Sequence, residues 1–420
     1  MNLSSVLNKY RLRNLRDPLF QNSFYLMSTS ISSAVFGFIF WALVARLYMK
    51  EEIGLAVGLI SLLSLMLLIS RLGVDQSMIR FLPKGNRSGI FWTSVFITTS
   101  IAVLVAIVAI LVISQFIPAL RIAENNSLEF IGILGVASIV GISGQAFIAL
   151  RKSKLYLLQN LMMQSRIIFI FLLVSMGSFG IFGSYGLSFV VALIFSMMIL
   201  PKFGIKFSSF DRQFLKKTFS FSLDNFIVSI LLTIPSMLLP IMVLGTLGPA
   251  SAANYYIAFT FVQIVFIIPS SFSISLFVEG SHGEPLGKIV RSALLSIFIL
   301  LTFLVAMIIL FGGFVLGLIG GSYLESLPLL YMLAISSFAM VAHSIYFSIK
   351  RIQKKTRILI LLSAISFSLL LILGQLFMIA FGLDGLGFAW LINFSIMTLI
   401  VIILAKREGL FMKSRNANIP

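Results

Sequence analysis

The sequence has 420 residues, 59% of them hydrophobic, and its 30 glycines bring the apolar share to about 66%. Soluble domains average roughly 45–50% apolar residues with glycine included, and roughly 25% charged ones; here the charged share is 10%. So little polar surface cannot cover so much apolar side chain in water, which excludes a cytosolic enzyme and a disordered chain and leaves a polytopic membrane protein. With no cysteine, there is no disulfide framework, thiolate metal site or cysteine nucleophile.

In chain order, residues 1–19 (MNLSSVLNKYRLRNLRDPL) are basic and too polar for a cleavable signal. The apolar run after them is too long for a signal h-region and reads as the first membrane helix. A crossing needs roughly 20 mostly apolar residues. That criterion gives twelve spans, near 21–45, 53–72, 89–117, 128–150, 155–178, 182–200, 221–245, 252–277, 289–312, 327–349, 358–381 and 384–405. The second is expected to continue through Gly73 toward Pro83, because nothing breaks it before that proline. Gly54 with Gly58, and Gly313 with Gly317, form small-residue pairs that permit close helix contact. Trp41, Trp92 and Trp390 fall toward span ends, as interfacial anchors do. Pro235 and Pro240 lie inside the seventh span and Pro269 inside the eighth. Each removes a helix hydrogen bond, so Pro235 and Pro240 are candidates for a hinge or for a static bend.

His282 lies in a loop and His343 in the tenth span, too isolated to form a metal site. His343 reads as a packed polar residue before a proton carrier. There is no G-x-x-x-x-G-K-[ST], H-E-x-x-H or D-x-[DN]-x-[DN]-G, so neither direct use of ATP nor a metal or cofactor is expected. Coupling to an H+ or Na+ gradient stays open.

Formal net charge is +18. With the N-terminus inside, 27 of the 31 Lys and Arg fall in cytoplasmic segments, three (Arg46, Lys50, Arg121) fall outside, and Arg166 falls within a span. Positive-inside insertion produces this bias, and both termini are then cytoplasmic. No nucleic-acid partner is needed to explain charges spread over seven segments without a shared motif.

Residues 182–198 (FGSYGLSFVVALIFSMM) align without gaps on 381–397 (FGLDGLGFAWLINFSIM), an offset of 199 with a shared G-x-x-G-L-x-F spacing. The expected architecture is therefore all-α: two six-helix bundles, 1–205 and 206–420, related by a pseudo-twofold axis along the membrane normal. Transporters built from such parallel repeats place the substrate path between the halves. The short loops leave no room for an extramembrane catalytic domain, so a transporter is expected and not an enzyme.

Charge inside a span is costly unless it faces water, a partner or a ligand. Arg166 lies twelve residues beyond Lys154, about 18 Å along a helix, which is near the midplane. Gln159, Asn160 and Gln164 precede it. Arg71 joins it if the second helix runs on, with Asp75 one turn away as its partner. Asp224 and Asn225 open the seventh span. No other span offers a mid-membrane acid, so Arg166 is expected to face an aqueous cavity rather than a carboxylate.

The hairpin Ala45-Arg46-Leu47-Tyr48-Met49-Lys50-Glu51-Glu52-Ile53-Gly54 resembles the A-R-x-L-x-x-E-E-[YF]-G loop of one transporter family. This is the polysaccharide transporter, O-antigen flippase-like branch of the multidrug/oligosaccharidyl-lipid/polysaccharide (MOP) exporter superfamily. Leu72-Gly73-Val74 through Ile79-Arg80-Phe81-Leu82-Pro83, Ala252-Ala253-Asn254-Tyr255-Tyr256-Ile257-Ala258 and Gly320-Gly321-Ser322-Tyr323 extend the resemblance along nearly the whole chain. Leu239-Pro240-Ile241 departs from it, since members often carry an acidic or polar residue there.

The resemblance implies a flippase in the cytoplasmic membrane. Its substrate would be oligosaccharide on a polyprenyl phosphate or pyrophosphate, and its neighbours membrane lipids and glycan-assembly proteins. Arg166, Arg71, Arg80 and Asp224 are the candidates for binding that substrate, since arginine pairs with phosphate bidentately. A drug or cation antiporter of the same superfamily would be expected to carry acids in its cavity. A membrane-embedded glycan polymerase would need a large outer loop with catalytic acids.

Overall fold

The computed structural model describes residues 18–83, 85–208, 210–215, 223–281, 286–353 and 355–408. Among the described residues there is no strand, and twelve helical spans are long and apolar enough to cross a membrane. The first six are Pro18–Leu47, Lys50–Ser70, Arg87–Phe116, Ser127–Ala149, the pair Ser153–Met163 and Arg166–Leu172, and Gly177–Ile199. The last six are Leu223–Leu247, Pro249–Ser281, Leu286–Ile319, Leu327–Ile352, Thr356–Phe381 and Asp384–Arg407. Large apolar side chains such as Leu104, Leu111, Ile299, Leu310 and Ile379 stand exposed on them. Helices that are apolar all round are at home in hydrocarbon, and the chain is a multi-pass membrane protein.

Packing divides the chain into two compact units. The first holds the described residues up to Tyr48, then Leu63–Phe116 and Leu120–Leu223; the second holds Met49–Leu62, Ile117–Ala119 and the described residues from Asp224 on. The segment after residue 205 packs with the first unit: Trp92 Nε1 donates to the Lys206 carbonyl at 2.9 Å, and the Asp211 amide donates to Thr93 Oγ1 at 2.7 Å. In the first unit, Gln159 ties three spans together, donating to the Val140 carbonyl at 3.0 Å and to Ser196 Oγ at 2.8 Å.

In the second unit the eighth and tenth spans are joined by Ser273 and Ser348, with Ser273 Oγ also donating to the Ser344 carbonyl at 2.9 Å. Buried Lys350 pairs with Glu408 beyond the last span. At the opposite end of this unit, Lys50 Nζ donates to the Ser322 carbonyl and to Glu325, each at 2.9 Å. Asn254 adds a bond to the same carboxylate at 3.2 Å. The Gly54 pair signals a true close approach: a Cβ there would lie 1.8 Å from the Pro249 carbonyl oxygen. A Cβ on Gly317 would meet nothing within 4 Å.

Several expectations are corrected here. The second helix does not continue to Pro83. It stops at Ser70, and Leu72 (φ 42°) and Gly73 (φ 76°) turn the chain through the left-handed region before a separate helix, Val74–Phe81. Glycine takes that conformation without steric cost, and with Leu72 it ends the helix ten positions before the proline that was expected to do so. Trp41 and Trp390 are not interfacial anchors: both are buried, Trp41 packed edge-on against Phe40 and Trp390 stacked on Phe266.

The hinge candidates Pro235 and Pro240 lie within one uninterrupted helix, Leu223–Leu247, with the Ser236 hydroxyl donating to the Thr233 carbonyl beside them. A separate break in the backbone falls within the fifth span, at Gln164 and Ser165, where no proline stands. There the amide side chains of Asn160 and Gln164 donate to the carbonyls four residues back, and the Gln164 and Ser165 amides tighten to i−3 bonds. Side-chain amides that compete with the helix ladder loosen it at that point.

The repeat is also corrected in register. Gly177 (φ 55°, ψ −136°) precedes the sixth span and Gly382 (φ 61°, ψ −141°) the twelfth, 205 residues later. Only glycine adopts this conformation freely. Three residues on in each case, Gly180 and Gly385 admit a backbone carbonyl of the preceding segment: a Cβ would lie 2.1 Å from the Leu173 oxygen and 2.0 Å from the Phe377 oxygen. The structural equivalents are thus 205 apart, not 199. The 199 alignment matched a second G-x-x-G one and a half turns further along the sixth span.

Candidate functional site

Arg166 begins the second piece of the broken fifth span. Its guanidinium lies against two aromatic rings of the first unit that meet edge to face, 4.8 Å from the centroid of Phe40 in the first span and 4.6 Å from that of Tyr185 in the sixth. Gly37, one turn before Phe40, keeps the space open: a Cβ there would come within 3.9 Å of Nη2. Nη2 donates to Gln164 Oε1 at 3.0 Å, while Nε is buried without a partner among the described residues. Arginine offers five N–H donors, so most of its hydrogen-bonding capacity has no side-chain acceptor here.

Local sequence explains the placement. The break at 164–165 turns the residue after it off the regular helical face, and Tyr48 secures the second piece by donating to the Ile170 carbonyl at 2.8 Å. Phe40 is itself held edge-on by Trp41 and Tyr185. A cation over two aromatic faces is stabilised without being neutralised. The choice between a carboxylate and an aqueous cavity therefore omitted a third environment. Arg166 sits half-buried against aromatic rings, with no acid paired to it among the described residues.

The other candidates are not gathered around it. Arg71 sits in the turn after the second span with Nη2 against Gly141 of the fourth, 3.3 Å from where a Cβ would be. Among the described residues it makes no hydrogen bond or ion pair, so the expected pairing with Asp75 is absent. Arg80 is exposed, its guanidinium 5.6 Å from the Phe81 ring centroid. Asp224 falls in the first turn of the seventh helix, and its side chain lies outside the described residues, as does His282. Phe40 and Tyr185 are the neighbours of Arg166 that the sequence did not single out.

Among the described residues the chain therefore combines twelve helices long and apolar enough to cross a membrane with a half-buried arginine inside one of them. The family described as polysaccharide biosynthesis protein matches residues 19–278, and the chain belongs to that family. Among curated proteins none matches. Several solved structures share the fold. An inward-facing multidrug resistance MATE family transporter of the MOP superfamily is 14% identical over 90% of this chain and 96% of its own, with a TM-score of 0.73. A mutant of the Vibrio cholerae MATE transporter VcmN is 16% identical over 94% and 97%, with a TM-score of 0.60. A MOP superfamily transporter from Pyrococcus furiosus is 11% identical over 96% of each chain, with a TM-score of 0.54; the reversed polarity of its binding pocket is described as suggesting a different function.

Proposed function

We propose that the protein is a flippase. It moves oligosaccharide linked to a polyprenyl phosphate or pyrophosphate across the cytoplasmic membrane by alternating access, with both termini on the cytoplasmic side. The observation that carries this reading is Arg166: a guanidinium inside the span, lying against the Phe40 and Tyr185 rings and, among the described residues, hydrogen-bonded only to Gln164. A fixed cation with vacant donors suits an anionic phosphate, which accepts planar paired hydrogen bonds from arginine. It repels a cationic drug.

Membership of a polysaccharide biosynthesis family supports a glycan-bearing substrate. That pocket polarity is tied to function in a similarly folded transporter supports reading the charge as a substrate determinant. The acyl chain of such a substrate stays in lipid while the headgroup crosses. Glycan-assembly proteins would supply and consume the substrate on either side.

The test is flipping in proteoliposomes. A fluorescent short-chain polyprenyl pyrophosphate-linked sugar is loaded in both leaflets, and the protein should make the protected half accessible to an added quencher. Ethidium, offered under an imposed H+ or Na+ gradient, should not be accumulated. Ethidium transport without lipid flipping would establish the antiporter reading instead.

A further inference from the structure

The second unit encloses a cavity of about 450 Å³, bounded by the seventh, eighth, tenth, eleventh and twelfth spans. Small-molecule sites range from roughly 300 to 1,000 Å³. Its wall has three features that constrain what fills it.

The first is unmet hydrogen bonding. His343, 5% exposed, and Ser363, fully buried, both line the cavity, and neither His343 Nε2 nor Ser363 Oγ has a partner among the described residues. Next to them Asn393 Nδ2 donates to Ser366 Oγ at 3.1 Å. Buried polar groups are normally satisfied, and two left open on one cavity wall point to an absent acceptor or donor.

The second is an aromatic face. Trp390 stacks on Phe266, with centroids 5.4 Å apart and planes 22° from parallel, and Phe394 adjoins it at 5.5 Å. The third is charge. Among the described residues no carboxylate lines the cavity, and Arg351, without a hydrogen bond or ion pair among them, stands at one end of it. Arg351 is two turns beyond His343 on the tenth helix, about 12 Å at 1.5 Å per residue.

A metal ion or organic cation has no counter-charge among the described lining residues, and a purely apolar ligand would leave the polar atoms unmatched. A pyranose ring carries an apolar C–H face and a hydroxyl rim, which complements a flat indole flanked by hydroxyl, amide and imidazole groups. A phosphate on that sugar would reach Arg351. The corrected repeat adds an independent point. Trp390 and Asn393 lie 205 residues after Tyr185 and Ser188, so the helix face that holds Arg166 in the first unit borders an open cavity in the second.

We infer that this cavity binds the glycosyl phosphate portion of the transported lipid, an assignment that rests on the flippase reading for its source. The sugar lies against Trp390 with its hydroxyls on Ser363, His343 and Asn393, and the phosphate lies on Arg351.

The experiment is a binding titration on the full chain in detergent, read by tryptophan fluorescence, with N-acetylglucosamine 1-phosphate as the probe. Saturable quenching is expected, abolished in Trp390→Phe. Ser363→Ala removes only an unpaired hydroxyl, so the fold survives; it should weaken binding about five- to tenfold, as the loss of one hydrogen bond would. Arg351→Gln should weaken it about tenfold or more. Inorganic phosphate should respond to Arg351→Gln and not to Ser363→Ala.

A citronellyl pyrophosphate-linked sugar that binds more tightly than the free sugar phosphate identifies the lipid-linked source; weaker binding identifies a soluble one and overturns that part. Absence of saturation, or wild-type affinity in both Ser363→Ala and Arg351→Gln, overturns the site. Lipid flipping by a protein that binds no glycosyl phosphate would overturn the cavity and leave the flippase reading standing. Binding without flipping would do the reverse.

Discussion

If Arg166 is held by aromatic faces, removing one face must cost a calculable amount. Tyr185→Leu deletes the nearer ring, at 4.6 Å, and leaves Phe40 at 4.8 Å. A cation–π contact contributes about 0.5–1 kcal/mol when exposed and about 2 kcal/mol when desolvated. Arg166 is half-buried in a membrane span, so about 1–2 kcal/mol is expected from this ring, a five- to thirtyfold change in an equilibrium constant. The total cost of the substitution also includes lost packing, which a double-mutant cycle with Arg166→Gln subtracts. Unfolding by added SDS in mild detergent, followed by tryptophan fluorescence, gives the four stabilities, and Trp41 packed on Phe40 reports directly on the site. Tyr185→Phe retains the ring and should show no loss of coupling to Arg166. A coupling energy below about 0.3 kcal/mol, the usual limit of additivity, would refute the aromatic slot as what holds the guanidinium.

Further outcomes follow from other residues. Gly180→Ala and Gly385→Ala each drive a methyl into a backbone carbonyl, at 2.1 and 2.0 Å, and should reduce stability or expression sharply. Gly183→Ala, whose methyl would meet only the Leu173 side chain at 3.4 Å, should be tolerated, whereas Gly382→Ala is strained by its φ of 61°; equal sensitivity of Gly183 and Gly382, which a 199-residue offset pairs, would restore the 199 register. Glu408→Gln leaves the fully buried Lys350 without its carboxylate and should cost about 3 kcal/mol in the same unfolding assay. That is the low end for a broken buried pair, because Glu408 keeps 29% of its side chain exposed. Lys350→Met, by removing the buried charge itself, should cost less, and the opposite order would discount the pair. Single cysteines at Ser208, Ser251 and Asn125 of this cysteine-free chain test orientation. Impermeant maleimide on intact cells should label the last two and spare Ser208, and the reverse pattern would invert the topology.

Hydropathy alone located all twelve spans, because a crossing demands a long apolar run and little else in this chain supplies one. It also placed Arg166 deep in the fifth span, since one guanidinium in an apolar stretch is conspicuous. Its surroundings were illegible. Phe40 and Tyr185 lie 126 and 19 residues away and look no different from the other phenylalanines and tyrosines of a chain with 41 and 10 of them. The break at 164–165 carries no proline and arises from amide side chains competing for carbonyls, a weak local signal. Residues 182–198 matched 381–397 because two G-x-x-G units stand six residues apart in the sixth span, and composition could not say which one turns the chain. Backbone conformation at Gly177 and Gly382 decides it. The cavity in the second unit was hidden for the same reason as the slot: Ser363, His343 and Trp390 converge from three helices.

Flipping by Arg166 variants in proteoliposomes tests the central claim most directly. Arg166→Ala should insert and fold but leave the fluorescent polyprenyl pyrophosphate-linked sugar in its original leaflet. Arg166→Lys, which keeps the charge and loses the planar fork, should retain partial activity. Flipping at the wild-type rate by correctly inserted Arg166→Ala would remove the guanidinium from the substrate path and contradict the account.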